Sequence, residues 1–238
     1  MEELVAVARR SPLTDLIERH VDGSGCLLEA GCGLGQYVLL LRERGLRAVG
    51  SDWSFEAVRE GARAGAPLAV MDLSALGIRS GSVSTYLSLG VVEHDRQGPD
   101  AILREAARVL RPGGTLLLSV PYWNGVRRLL TPWLARRGAR TAASGGEFYQ
   151  YAFTRSEVRA FLRAHGFRAT SFHPYDPARL LRQARRALAR SGAAPTSSGR
   201  PVVEDQRGWP ARAVRALLYT PPGLRLLGHM ILAVAAKA

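Results

Sequence analysis

Three glycines and two aspartates stand where they could bind a nucleoside. Gly31, Gly33 and Gly35 follow an apolar run that predicts a buried strand, and a helical pattern begins directly after them. Glycine lets the backbone approach a ligand closely, and the N–H groups at the start of a helix favour a polar or anionic group. Asp52 lies 21 residues after Gly31, at the end of the next predicted strand, where a carboxylate can accept hydrogen bonds from both ribose hydroxyls. Asp72 ends the third predicted strand and could meet an adenine amino group.

The spacing of the glycines favours a nucleoside with an amino-acid tail over a dinucleotide. A dinucleotide-binding loop has the pattern GxGxxG, whose third glycine would fall at Gln36 or Val38. The spacing here is GxGxG, which counts against a nicotinamide-dependent oxidoreductase. Taken alone, the loop is also typical of a tight strand-to-helix turn, so the two aspartates carry the interpretation.

Strand and helix patterns alternate along the first half of the chain. Such alternation is typical of right-handed βαβ units and predicts an α/β fold with a doubly wound, Rossmann-like sheet. Ligands of these sheets bind at the carboxyl ends of the strands, where the residues above are found. The predicted strands cover residues 26–30, 47–51, 68–71, 83–89 and 115–120. The predicted helices cover residues 11–20, 36–44, 54–64 and 100–110.

Five sequence blocks, in order, resemble one known family. They are LLEAGCGLGQ, VGSDWS, MDLSAL, LSLGVVEH and ILREAARVLRPGGTLLLSVP. Together they resemble the class I S-adenosylmethionine-dependent methyltransferases, nearest to the broad type 11 branch that includes quinone-biosynthesis enzymes. The resemblance covers about residues 25–173. It implies S-adenosyl-L-methionine as the cofactor and a seventh strand that enters the sheet antiparallel to the others.

The resemblance also implies a role for particular residues. The methionine end of the cofactor would contact the glycine loop and the acidic residue before it, and the ribose would contact Asp52. The adenine ring would pack on Trp53, with Asp72 and Leu73 at its edge. Leu89 and Gly90 would lie near the sulfonium. The predicted cofactor-binding residues are Glu29, Gly31, Gly33, Gly35, Asp52, Trp53, Asp72, Leu73, Leu89 and Gly90.

Methyl transfer from a sulfonium is an in-line displacement, for which the protein supplies alignment and, for a hydroxyl acceptor, a base. His94, four residues past Gly90, is the candidate base; the alternative is that it caps or packs against the following helix. Tyr149 and Tyr151 are candidates for the acceptor pocket or for the core. No set of histidines and carboxylates has the spacing of a metal site, which disfavours a metal-dependent methyltransferase.

The whole of residues 1–238 is predicted to be one methyltransferase domain with two helical lid insertions. One insertion, residues 122–150, follows the fifth strand. The other, residues 175–228, lies between a sixth strand at 167–174 and a last strand at 229–236, and contains a flexible linker at 191–208 rich in Ser, Gly and Pro.

Positive charge is concentrated in these insertions. Residues 122–150 carry five Arg and one Glu, and residues 176–225 carry ten Arg and three acidic residues, out of a net charge of +13 for the chain. Three interpretations remain open: a solvated lid, a lid that selects an anionic acceptor, and a peripheral surface for an anionic membrane. Nucleic acid is an unlikely partner because no known nucleic-acid-binding module is present.

The sequence therefore predicts an enzyme that methylates a small-molecule or lipid-like acceptor, with an anionic acceptor as one option. A catalytically silent cofactor-binding sensor or partner subunit is the alternative. Cys26 and Cys32 form no CxxC pair, and the N-terminus lacks the pattern of a signal peptide, which together favour the cytoplasm. The oligomeric state and the methylated atom stay open.

Overall fold

The computed structural model describes residues 1–129, 151–177, 179 and 216–238. Several predicted features lie outside these residues. They are most of the lid at 122–150, including Tyr149, and most of the insertion at 175–228, including the linker at 191–208.

One seven-stranded sheet organises the described residues, in the order β3-β2-β1-β4-β5-β7-β6. The first five strands pair in parallel, and the last strand is antiparallel to both of its neighbours. This confirms the predicted Rossmann-like α/β sheet with its antiparallel last strand. The strands are β1 (Cys26–Ala30), β2 (Arg47–Asp52), β3 (Leu68–Val70), β4 (Val83–Leu89), β5 (Leu110–Pro121), β6 (Phe167–Tyr175) and β7 (Met230–Lys237).

Apolar clusters cover both faces of the sheet. The helices in the described ranges are α1 (Glu2–Arg9), α2 (Pro12–His20), α3 (Gln36–Glu43), α4 (Phe55–Arg63), α5 (Asp100–Val109), α6 (Gly125–Leu129), α7 (Arg155–Ala164) and α8 (Pro221–Leu227), with a 3-10 turn at Val92–His94. Along β5, Leu116 and Leu118 belong to a cluster with α5 and α7, whereas Leu117 belongs to a cluster with α2 and α3. Neighbouring side chains of a strand point to opposite faces, so the two clusters lie on opposite sides of the sheet.

The start of β5 differs from the prediction. The sequence predicts that the proline and two glycines after Arg111 end a helix and that the strand begins at Thr115. In the structure Leu110 already pairs with Val83 of β4, and the register shifts before Thr115 pairs with Thr85. The predicted start was wrong because the Pro-Gly-Gly segment is an irregular first part of the strand and not a turn outside it.

The N-terminal helix α1 was not predicted. Its apolar pattern is short, and it buries only Val5 and Ala8, which pack with Leu40 of α3. An ion pair between Arg9 and Glu43 joins the same two helices. A helix this short depends on such tertiary contacts, which its own sequence does not reveal.

The later elements follow the prediction closely. The sequence Thr154-Arg155-Ser156-Glu157 predicts a capping box at the start of α7. It is present, because the Thr154 hydroxyl accepts from the backbone N–H of Glu157 and the Glu157 carboxylate accepts from that of Thr154. β6 extends one residue further than predicted, to Tyr175, and β7 covers Met230–Lys237.

Candidate functional site

The predicted cofactor residues gather at one edge of the sheet. They follow β1, β2, β3 and β4, which are consecutive neighbours in the order β3-β2-β1-β4. Since these strands are parallel, their carboxyl ends meet at the same edge. The fold therefore brings together groups that are as far as 61 residues apart in sequence, from Glu29 to Gly90.

The glycine loop after β1 is shaped by close approach to its neighbours. Gly31 has a φ of +79°, and a Cβ there would lie 2.4 Å from Cγ2 of Val91, in the loop after β4. Any side chain at Gly31 would push these two loops apart. Gly33 has a φ of +53° and no atom within 4 Å of its would-be Cβ, so its backbone faces open space that a ligand could fill. Gly35 is the residue directly before α3.

Asp52 ties the end of β2 to the glycine loop. Its carboxylate accepts a hydrogen bond from the Gly33 N–H at 2.8 Å through Oδ2 and one from the Ser54 N–H at 2.9 Å through Oδ1. Each carboxylate oxygen can accept more than one hydrogen bond, so both oxygens keep capacity for ribose hydroxyls. Asp52 therefore both shapes the loop and could bind the sugar.

The residues predicted to surround an adenine ring differ in exposure. The Trp53 side chain is 80% exposed, which leaves a large aromatic surface open beside Asp52. Asp72 is exposed, and its Oδ1 accepts from the N–H and hydroxyl of Ser74, which lowers the pKa of Asp72. Leu73 is buried in the core, so only its backbone could meet a ligand edge.

Glu29 is a buried carboxylate without a full set of partners. It is 2% exposed, and its Oε2 has no hydrogen-bond partner among the described residues. Burial raises the pKa of Glu29 to about 8. The hydrogen bond from the Val38 backbone lowers this pKa, and the charge of Asp52 raises it. A buried carboxyl of this kind ionises readily only when a cation comes beside it. It therefore suits the ammonium group of an amino-acid tail.

A second buried acid, Glu93, lies in the 3-10 turn that follows β4. It is also 2% exposed, and its Oε2 has no hydrogen-bond partner among the described residues. Its Oε1 lies 3.5 Å from the position that a Cβ on Gly90 would occupy. Burial raises the pKa of Glu93 to about 7. The neighbouring His94, the predicted base, is exposed at the end of the 3-10 turn. The sequence analysis missed Glu93, although a glutamate after two valines in a loop near the ligand was a usable signal.

Polar groups from the later strands line the same edge. Tyr151 donates its backbone N–H to the carbonyl of Glu93, so this predicted pocket residue does lie beside the buried acid. The hydroxyls of Ser119 and Tyr175 are 2.6 Å apart, and burial raises the pKa of Tyr175. Their positions near the ends of β5 and β6 make them further candidates for an acceptor pocket.

Arg127 is fixed at the start of α6. Its guanidinium donates to the carbonyl of Tyr122 at 2.9 Å and lies 3.0 Å from Nδ1 of His229. Burial lowers the pKa of Arg127, and the charge of Arg179 lowers it further. The Arg179 charge also lowers the pKa of Glu93, so this arginine acts on both the buried acid and Arg127.

The described ranges contain neither a cluster of metal-ligand residues nor a membrane-spanning helix. Within them, no group of three or more His, Cys, Asp or Glu is arranged to hold a metal ion. None of the helices that the structure describes has the length and hydropathy needed to cross a membrane.

Solved structures with the same fold are mostly described as methyltransferases. A S-adenosylmethionine-dependent methyltransferase from Methanosarcina mazei has a TM-score of 0.62 and 19% identity, covering 93% of this chain and 96% of its own. A second structure is geranyl diphosphate C-methyltransferase from Streptomyces coelicolor A3(2), in complex with Mg²⁺, geranyl diphosphate and S-adenosyl-L-homocysteine. It has a TM-score of 0.60 and 16% identity, and the match covers 95% of this chain and 77% of that chain. The sheet order and the site at its carboxyl edge thus define a class I methyltransferase fold.

Sequence comparison supports the same class. Residues 28–118 match the type 11 family model described as a methyltransferase domain. Residues 28–118 thus carry a methyltransferase domain of this class, and the solved structures of the same fold support S-adenosyl-L-methionine as the cofactor. The mouse tRNA (carboxymethyluridine(34)-5-O)-methyltransferase ALKBH8 is 30% identical over 116 residues, which are 47% of this chain and 17% of that protein. The chain thus spans only a small part of this curated relative.

The buried Glu29 leads to a prediction about cofactor binding. At pH 6–7 the free protein carries a proton on Glu29, because its pKa is about 8. An ammonium group bound beside it stabilises the carboxylate, so binding is expected to release close to one proton and affinity to rise with pH in this window. Calorimetry in two buffers of different ionisation enthalpy measures the number of protons released.

Glu29→Gln is expected to abolish most of this proton release, and Glu60→Gln, on the exposed side of α4, is the matched control. Proton release that is unchanged in Glu29→Gln would place the titrating group elsewhere.

Proposed function

We propose that the protein transfers a methyl group from S-adenosyl-L-methionine to a small-molecule or lipid-like acceptor that carries an anionic group. The observation that carries this proposal is Glu93, a buried acid with an unpartnered oxygen that stands next to Gly90 at the end of β4. The guanidinium group of Arg127, which Tyr122 and His229 hold at the same edge, supports an anionic acceptor.

The proposed cofactor site uses the residues predicted from the sequence. Asp52 would hold the ribose hydroxyls, Trp53 would cover the adenine face, and Glu29 would meet the ammonium group. The open backbone at Gly33 supports close approach of the cofactor. When bound, the cofactor supplies an electrophilic methyl group attached to a sulfonium.

The protein's own part in the reaction is to align the acceptor and remove its proton. Glu93 is proposed as the base, because a carboxylate with a pKa of about 7 is partly ionised at neutral pH and still basic enough to accept a proton. His94, exposed on the same turn, is the second candidate. Tyr151, which contacts Glu93 through its backbone, and Tyr149 are proposed to line the acceptor pocket.

We also propose that the protein works in the cytoplasm, at least in part at the membrane surface. The two cysteines support this compartment, because both Cys26 and Cys32 are free thiols, as is usual in a reducing environment.

Calorimetric titration with S-adenosylmethionine, S-adenosylhomocysteine and NAD, followed by an assay for S-adenosylhomocysteine formation, tests the function. We expect micromolar binding of the two sulfur nucleosides, none of NAD, and turnover with an acceptor from an extract fractionated by charge and lipid solubility. Transfer RNA belongs in the screen because the relative ALKBH8 is named for it. Tight cofactor binding with no turnover on any fraction would favour the catalytically silent alternative.

A further inference from the structure

Two short helices stand side by side at the edge of the sheet that holds the site. α6 begins just after β5 ends, and α8 ends just before β7 begins, and these two strands pair with each other at Pro121 and Met230. A Cβ at Gly125 would lie 2.7 Å from Cδ2 of Leu226, so the helices touch there without space for a side chain. The side-chain amide of Asn124 donates to the carbonyl of Gly228 at 2.8 Å, which links the segment after β5 to the segment before β7.

One arginine of this pair of helices is held at the sheet edge, and several of the other residues are exposed. The guanidinium of Arg127 meets Tyr122 and His229. Leu129 of α6 is 79% exposed and Leu226 of α8 is 48% exposed, and Leu217, shortly before α8, is 69% exposed. Three exposed leucines in or beside two short, adjacent helices are unusual for a surface that has only water to contact.

The charged side chains of these two segments are all positive. Arg128 and Arg225 are exposed and are sequence neighbours of exposed leucines, and neither residues 122–129 nor residues 216–238 contain an Asp or Glu. We call the exposed residues Arg128, Leu129, Leu217, Arg225 and Leu226 together the leucine–arginine face. It combines apolar side chains that avoid water with cations that favour an anionic surface.

We propose that the leucine–arginine face docks on an anionic lipid bilayer and sets the acceptor pocket at the membrane surface. The leucines would enter the headgroup–acyl boundary while the arginines contact anionic headgroups. A nucleic acid would use the arginines but leave the leucines in water, so the mixture favours a bilayer. The proposal rests on the proposed function, because a lipid-like acceptor would then pass from the bilayer to the edge at which Glu93 and Arg127 lie.

Vesicle flotation of the full chain tests the docking. We expect binding to phosphatidylglycerol vesicles, little binding to phosphatidylcholine vesicles, and partial loss in high salt. Leu129→Asp combined with Leu226→Asp is expected to weaken binding by about tenfold or more, since the variant both removes apolar contact and adds negative charge. The matched control is Leu4→Asp combined with Val7→Asp, which changes two exposed residues of α1 in the same way and is expected to bind normally.

Equal binding of both double variants and the wild type would overturn the proposal, as would wild-type protein that floats with neither vesicle or is retained only by RNA. Cofactor titration of each variant shows that it is folded. Turnover of a detergent-dispersed acceptor separates the two hypotheses: turnover without vesicle binding refutes the docking alone, and vesicle binding without turnover refutes the proposed function alone.

Discussion

Replacing Glu93 with glutamine is expected to lower kcat about a hundredfold for an acceptor that must lose a proton. The change keeps the shape of the side chain and resembles the protonated acid, so the fold should tolerate it. In the wild type kcat should rise with pH through about 7, as the Glu93 carboxyl ionises. In the variant this rise should be absent, while cofactor affinity stays within about twofold. The measurement is S-adenosylhomocysteine formation at saturating substrates between pH 6 and 9.

His94→Gln is the control for Glu93→Gln, because it changes a polar neighbour on the same turn that is exposed instead of buried. We expect its pH profile to match that of the wild type. If Glu93→Gln keeps the wild-type rate and profile while His94→Gln loses both, the base is the histidine that the sequence pattern first indicated.

Asp52→Ala is expected to weaken S-adenosylmethionine binding by tenfold or more, corresponding to about 1–3 kcal/mol for lost hydrogen bonds to a charged group. The loss has two physical sources. The carboxylate would no longer accept the ribose hydroxyls, and the Gly33 and Ser54 N–H groups that it now holds would lose their partner. Isothermal titration gives the affinity, and thermal unfolding shows whether the variant is folded.

Asp52→Asn separates these two sources, because its amide oxygen can still accept one of the two loop hydrogen bonds. Asp72→Ala, after the end of β3, is the comparison and should cost less affinity, since Asp72 is exposed and, among the described residues, its carboxylate accepts hydrogen bonds only from Ser74 in the same turn. If Asp52→Ala binds S-adenosylmethionine as tightly as the wild type, Asp52 does not bind the ribose hydroxyls.

Local sequence patterns were enough to predict most of the sheet. β1 and β4 have the predicted bounds, and both are almost wholly buried, although β1 contains Glu29 and β4 contains two serines and a threonine. The start of β5 at Leu110 was not predictable in this way. It depends on the pairing of Leu110 with Val83 of β4, and the sequence of the Pro-Gly-Gly segment does not predict this pairing.

The positions of the candidate site residues could be predicted better than their chemistry. The rule that ligands bind at the carboxyl ends of parallel strands brings Glu29 and Asp52 to one edge. Whether a carboxyl there is charged depends on how many other elements cover it. Glu29 and Glu93 have raised pKa values because the fold buries both, and neither neighbouring sequence shows that burial.

The placement of β7 between β5 and β6 makes completion of the sheet depend on the last strand. β6 has no strand partner other than β7 in the described sheet, although it precedes β7 by more than 50 residues. During synthesis, β1 to β5 can therefore pair with one another before β6 gains a strand partner, although α7 packs on the same apolar cluster as β5. β7 then pairs with β5 on one side and with β6 on the other. We expect the acceptor side of the site, where Tyr175 meets Ser119, to close late in folding, whereas the cofactor side is formed by the strands made first.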